Sequence, residues 1–163
     1  MLNFGSNHSR QSGFLHLFLG ALAIITPGST ETLAVANVAA PAGVLTMSGS
    51  ASSVQIGQAG VLPDGGAKLV WSAAPSDDLQ GRVLAGLIVD GGPSGASLAS
   101  NPVVINRNDV YGNGLFSTLR TTYRNATGQT LQNFQFEPSG GDPTTAVNNA
   151  RALNPDAVVV KKD

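Results

Sequence analysis

The sequence predicts a mainly β fold: an antiparallel β-sandwich or small barrel of seven or eight short strands, one short helix near 143–153, and an N-terminal apolar helical leader. Three observations carry that expectation. Short β-prone runs recur at near-regular spacing, and turn-forming clusters separate them. Stretches with helical periodicity do not alternate with those runs, which argues against a parallel α/β fold. The composition is turn-rich and poorly charged, with 20 glycines, nine prolines and 12% charged residues, against about 25% in an average domain.

The leader comes first. Arg10 precedes the apolar run from Phe14 to Ile25, and Pro27-Gly28 then punctuates the chain. As a helix that run reaches only about 18 Å, short of the ~30 Å hydrocarbon core of a bilayer. It matches a secretory apolar core followed by small-residue sites at Ala34-Val35-Ala36 and Val38-Ala39-Ala40. The expected division is a leader over 1–40, signal-peptide-like or retained, and a single β-rich domain over 41–163. Export to the cell surface or envelope follows, with membrane contact only through the leader.

The expected strands are Val44–Met47, Ser53–Gln58, Lys68–Ser72, Arg82–Asp90, Pro102–Asn106, Phe116–Asn125, Thr130–Glu137 and Ala157–Val160. Between them stand Pro63-Asp64-Gly65-Gly66, Pro75-Ser76-Asp77-Asp78, Asp90-Gly91-Gly92-Pro93 and Tyr111-Gly112-Asn113-Gly114. Strict alternation sets Leu119, Thr121 and Tyr123 on one face. A loop at Ala126–Gln129, with Gly128 at positive φ, would join that face to Phe134 and Phe136 as a hairpin. The helix near 143–153 has Asp142 as cap, Pro143 at its first position, and Ala146, Val147, Ala150 and Leu153 at helical spacing. Lys161-Lys162 guard the last strand against edge pairing.

Chemistry is narrowed by what is missing. Both histidines, His8 and His16, lie in the leader, and there is no cysteine. Histidine-dependent nucleophiles and imidazole or thiolate zinc sites are therefore excluded from the domain. The chain reads as a non-enzyme with no cofactor. Net charge is −1 and the basic residues are scattered, so nucleic acid is not the expected partner.

Asn106, Asn108 and Asp109 group oxygen ligands of the kind Ca²⁺ takes, without the EF-hand spacing. Asn125-Ala126-Thr127 is a glycosylation sequon. Tyr111, flanked by polar and glycine residues, is the aromatic placed for an exposed contact.

The function that follows is a structural or assembly subunit of a surface layer, filament or capsid, acting through self-association or contact with other subunits. Leu33, Val35, Val38, Val44 and Leu45, within Leu33–Met47, would supply a strand to a neighbour's sheet edge. A secreted ligand-binding or adhesion module using Tyr111 is the alternative. A carboxylate-only hydrolase would need two acids facing one cleft, yet most of the acids sit in turn or cap signals.

Overall fold

A computed structural model describes residues 20–61, 68–91 and 99–161. The chain divides into two compact units. The expected turns at Pro63–Gly66 and Gly92-Pro93, together with Lys162, lie outside the described residues.

The first unit comprises residues up to Ala51 and Gln55–Ala74. It contains β1 (Ala23–Thr26), α1 (Ser29–Ala39), β2 (Leu45–Ser48) and β3 (Val70–Ser72), with most of the 3₁₀ turn Val54–Gly57 before β3. All pairing is parallel, in the order β1-β2-β3, and the register sets Ile25 beside Met47 and Met47 beside Trp71. Parallel neighbours need a crossover, and α1 supplies it between β1 and β2. Ala36 and Ala40 join Ala51, Ile56 and Val70 in the core of this unit. On the opposite face Ile25, Met47 and Trp71 are exposed.

The second unit comprises Ser52–Val54 and Pro75–Asp163. Its elements are α2 (Asp77–Asp90), β4 (Pro102–Arg107), α3 (Val110–Thr127), β5 (Gln132–Phe136), α4 (Thr144–Ala152) and β6 (Ala157–Lys161). The sheet is again parallel, in the order β5-β4-β6. Central β4 is covered on both sides. Val104 packs with Ala85, Ile88, Leu119 and Tyr123 from α2 and α3. Val103 and Ile105 pack with Ala146 and Ala150 of α4. A strand enclosed this way reads as a continuous apolar run, as Val103-Val104-Ile105 does. The two helices approach closely at Gly81, where an added Cβ would lie 2.7 Å from Thr118 Cγ2 and 2.9 Å from the Leu119 nitrogen.

The antiparallel sandwich or barrel is therefore replaced by Rossmann-like α/β units with parallel sheets. Arg82–Asp90 lies inside α2, and Ser53–Gln58 spans the 3₁₀ turn rather than a strand. Phe116–Asn125, the first arm of the expected hairpin, is helical: Leu115, Leu119 and Tyr123 are buried at a spacing of four, while Thr121 is exposed. Gly128 does have positive φ, at +73°, but as the C-cap of α3. The end of the expected helical leader is extended, since Ile24 and Ile25 belong to β1, and Phe14–Leu19 lies outside the described residues. Helix α4 falls within the expected 143–153 span. Among the described residues no helix is long and apolar enough to cross a membrane.

Candidate functional site

In parallel α/β sheets, ligands sit beyond the carboxyl ends of the strands. Each unit has such a rim. That of the first unit is built by Thr26-Pro27-Gly28 after β1, Ser48-Gly49-Ser50-Ala51 after β2, and Ser72 at the end of β3.

Hydroxyls fold this rim. Ser48 Oγ accepts from the backbone nitrogens of Ser50 (3.3 Å) and Ala51 (3.0 Å) and donates to the Pro27 carbonyl at 3.4 Å. Ser50 Oγ also donates to Pro27 O, and Ser72 Oγ donates to Ala51 O. Thr32 Oγ1 donates to the Gly28 carbonyl and lies 2.7 Å from Thr26 Oγ1. The serine and threonine hydroxyls are thus largely spent on shaping the loops.

What the rim presents is the amino end of α1. The first N–H groups of a helix have no intrahelical carbonyl, and they carry partial positive charge. Gly28, the extended N-cap residue at φ −135°, brings no side chain to them, and among the described residues no side chain caps this helix. The N-caps of α2 and α3 do carry a side-chain bond, and α4, whose N-cap Pro143 makes none, is approached by the preceding Asp142. Ser76 Oγ accepts from Asp78 N at 3.3 Å, Asp109 Oδ1 from Gly112 N at 2.7 Å, and Asp142 Oδ1 from Thr144 N at 2.9 Å.

The rim of the second unit is closed by amides. Gln135 Nε2 and Asn106 Nδ2 both donate to Asn113 Oδ1, at 2.5 and 3.3 Å. Asn113 Nδ2 donates to Asn108 Oδ1 (3.0 Å), and Asn108 Nδ2 to the Glu137 carboxylate (2.9 Å). Arg107 Nε pairs with Asp109 Oδ2 at 2.5 Å. Gly112 is required here, since a Cβ would lie 2.1 Å from the Arg107 carbonyl oxygen. Elsewhere in this unit the fully buried Asp77 accepts from Ser52 Oγ at 2.8 Å through Oδ1 and donates its backbone N–H to Ser52 O at 2.7 Å.

The three residues expected to offer cation ligands come together in this network. Asn106 is buried with its amide nitrogen on Arg107 O and Asn113, Asn108 bridges Asn113 to Glu137, and both carboxylate oxygens of Asp109 are engaged by Gly112 N and Arg107. Among the described residues no three His, Cys, Asp or Glu side chains are grouped to hold a metal. Tyr111 is half-buried in the first turn of α3, and Asn125 is exposed in its last turn. Leu33, Val35 and Val38 lie on α1, with Leu33 packed against the core. Val44 is buried, and Leu45 begins β2, which is paired on both sides and has no edge to donate.

Two carboxylates are held below the ordinary value of 3.8. Asp142 is lowered first by the Thr144 hydroxyl and then by its N–H; Asp156 is lowered by the Ser100 N–H, the Ser100 hydroxyl and the Asn101 N–H. Sequence reasoning missed the Ser48–Ala51 loop, Gly28 and the amide chain through Asn113 and Gln135. The available signal for the first two was a Ser/Gly-rich segment directly after each apolar run.

A family model described as periplasmic binding protein matches residues 14–161. No curated protein matches the chain. Among solved structures it resembles a leucine-binding protein of Thermotoga maritima, with 20% identity and a TM-score of 0.70 over 92% of this chain and 41% of that one. An ABC-transporter solute-binding protein of R. palustris in complex with benzoate matches at 15% identity and TM-score 0.74, over 94% of this chain and 40% of that one. An extracellular ligand-binding receptor of Rhodopseudomonas palustris HaA2 matches at 20% identity and TM-score 0.73, over 98% and 42%. The chain thus spans about two fifths of the length of these relatives.

Proposed function

This chain belongs to the periplasmic binding protein family, and from that premise we propose that it is a solute-binding polypeptide holding a small carboxylate at the amino end of α1. Membership overturns the expectation of a filament, capsid or surface-assembly subunit. The paired β2 removes the strand-donation mechanism offered for it. The ligand-binding alternative takes its place. The chain acts in the periplasm or envelope space, carries out no catalysis, and hands its solute to the membrane component of an ABC transporter, the system named for the R. palustris protein.

One observation carries the reading: the N-cap of α1 is a glycine with no side-chain cap, and the helix starts at the carboxyl end of a parallel strand. The helix dipole favours an anion there. Leucine and benzoate, the ligands named for two relatives, both carry a carboxylate. The test is calorimetric titration with leucine and benzoate beside leucinamide and benzamide. At least one carboxylate should bind, and its amide should bind at least tenfold more weakly, a difference of about 1.4 kcal/mol. Equal affinity of acid and amide, or no binding by any of the four, overturns the proposal.

A further inference from the structure

The two sheets are covered unequally. In the second unit helices lie on both faces of β4, whereas within the first unit α1 and the 3₁₀ turn both lie on the Val70 side of the sheet. Parallel sheets are ordinarily buried on both faces. The bare face carries one apolar row across the three strands, Ile25, Met47 and Trp71, which are 86%, 44% and 49% exposed. Lys68 stands at the Trp71 end of this row. The Trp71 indole N–H donates to the Lys68 carbonyl at 2.9 Å, and the Lys68 ammonium lies 5.0 Å from the centre of the Trp71 ring. Among the described residues of this unit the only other charged group is Glu31, on α1 and so on the far side of the sheet. The bare face thus joins apolar side chains to a cation and shows no acid.

We propose that this face is a membrane-docking surface that seats the first unit on an anionic bilayer. A tryptophan ring settles at the boundary between headgroups and acyl chains, and a basic side chain beside it meets lipid phosphate. Ile25 and Met47 then enter the acyl boundary, while the long stem of Lys68 leaves its ammonium in the polar layer. Area favours a bilayer over another copy of the chain. At about 200 Å² for a fully exposed side chain of this size, the row would bury roughly 700 Å² between two copies, short of the ~1,000 Å² of a specific protein interface. A bilayer sets no such threshold, because apolar burial and charge attraction add. The proposal does not depend on which solute is held or where.

The experiment titrates the full chain with vesicles of phosphatidylcholine alone and of equal parts phosphatidylcholine and phosphatidylglycerol, followed by co-sedimentation and by indole emission. Trp71 is the single tryptophan, so a blue shift on binding reports this face. Partition into the anionic vesicles should exceed that into the neutral ones about fivefold, the effect of one basic side chain near the surface. Lys68→Gln should remove that excess and Lys68→Arg should keep it. Ile25→Thr, which keeps a β-branched residue in the strand, should lower partition into both vesicles about tenfold with the unfolding temperature unchanged. Should Lys68→Gln unfold at a lower temperature, raised salt on the unaltered chain makes the same test and should remove the excess. Equal partition into the two vesicles, binding to neither, or binding that Ile25→Thr leaves intact overturns the proposal. So does an indole emission already blue-shifted without vesicles, which would mean that protein covers the face.

Discussion

The two rims are built on the same plan and finished differently. Each lies at the carboxyl end of a parallel three-stranded sheet, and in each a helix starts just beyond a strand, α1 after β1 and α3 after β4. At α3 the N-cap is Asp109, whose carboxylate accepts from Gly112 N and pairs with Arg107, while four amide side chains and Glu137 link the surrounding loops. At α1 the N-cap is a glycine and the nearby hydroxyls are turned onto carbonyls. One rim caps its helix with a charged side chain; the other begins its helix at a glycine. Likeness of topology therefore does not make likeness of role, which is decided by the residue at the cap.

The largest expected effect comes from breaking the closed rim. Gly112→Ala places a methyl against a backbone oxygen that cannot step aside, and should cost about 3 kcal/mol in urea unfolding followed by helical circular dichroism. A loss under about 1 kcal/mol would mean the rim is looser than its hydrogen bonds indicate. Next is conversion of the open rim into a closed one. In Gly28→Ser the new Cβ meets only the flexible end of Glu31, and the hydroxyl should cap α1. Stability should rise by a few tenths of a kcal/mol while carboxylate affinity falls about tenfold; unchanged affinity would detach the helix end from solute binding.

The smallest effect concerns acid stability, away from both rims. Asp156 is lowered in the fold, so its contribution is present above the ordinary carboxylate value and is lost as pH falls through the folded one. Asp156→Asn should lower the unfolding temperature near neutral pH, with the gap to wild type closing as pH falls below the ordinary carboxylate value. A gap that persists in acid would assign the role of Asp156 to shape rather than charge.

Legibility of the fold varied with how each element mixes its signals. β4 and β6 stand out because Val103-Val104-Ile105 and Ala157–Val160 are unbroken apolar runs. α2 is obscure because its apolar residues go round the helix: Ala85 and Ile88 are buried, yet Leu79, Val83 and Leu87 are exposed. α3 is rich in Thr, Tyr and Phe, which favour strands, and its alternation at Leu119, Thr121 and Tyr123 conceals the buried set Gly112, Leu115, Leu119 and Tyr123. The cap signals Ser76 and Asp109 precede both helices, and weighing them above periodicity would have exposed the α/β alternation. The open rim was the least legible feature, since a glycine before a helix announces only what is missing.

The exposed side chain at the centre of β3 has an experimental use. Trp71 is the single tryptophan of the chain and belongs to the first unit, while both tyrosines, Tyr111 and Tyr123, belong to the second. Indole emission therefore reports on one unit and phenol absorbance on the other. A single denaturant titration can ask whether the two lose structure together or in turn, with no label and no mutation.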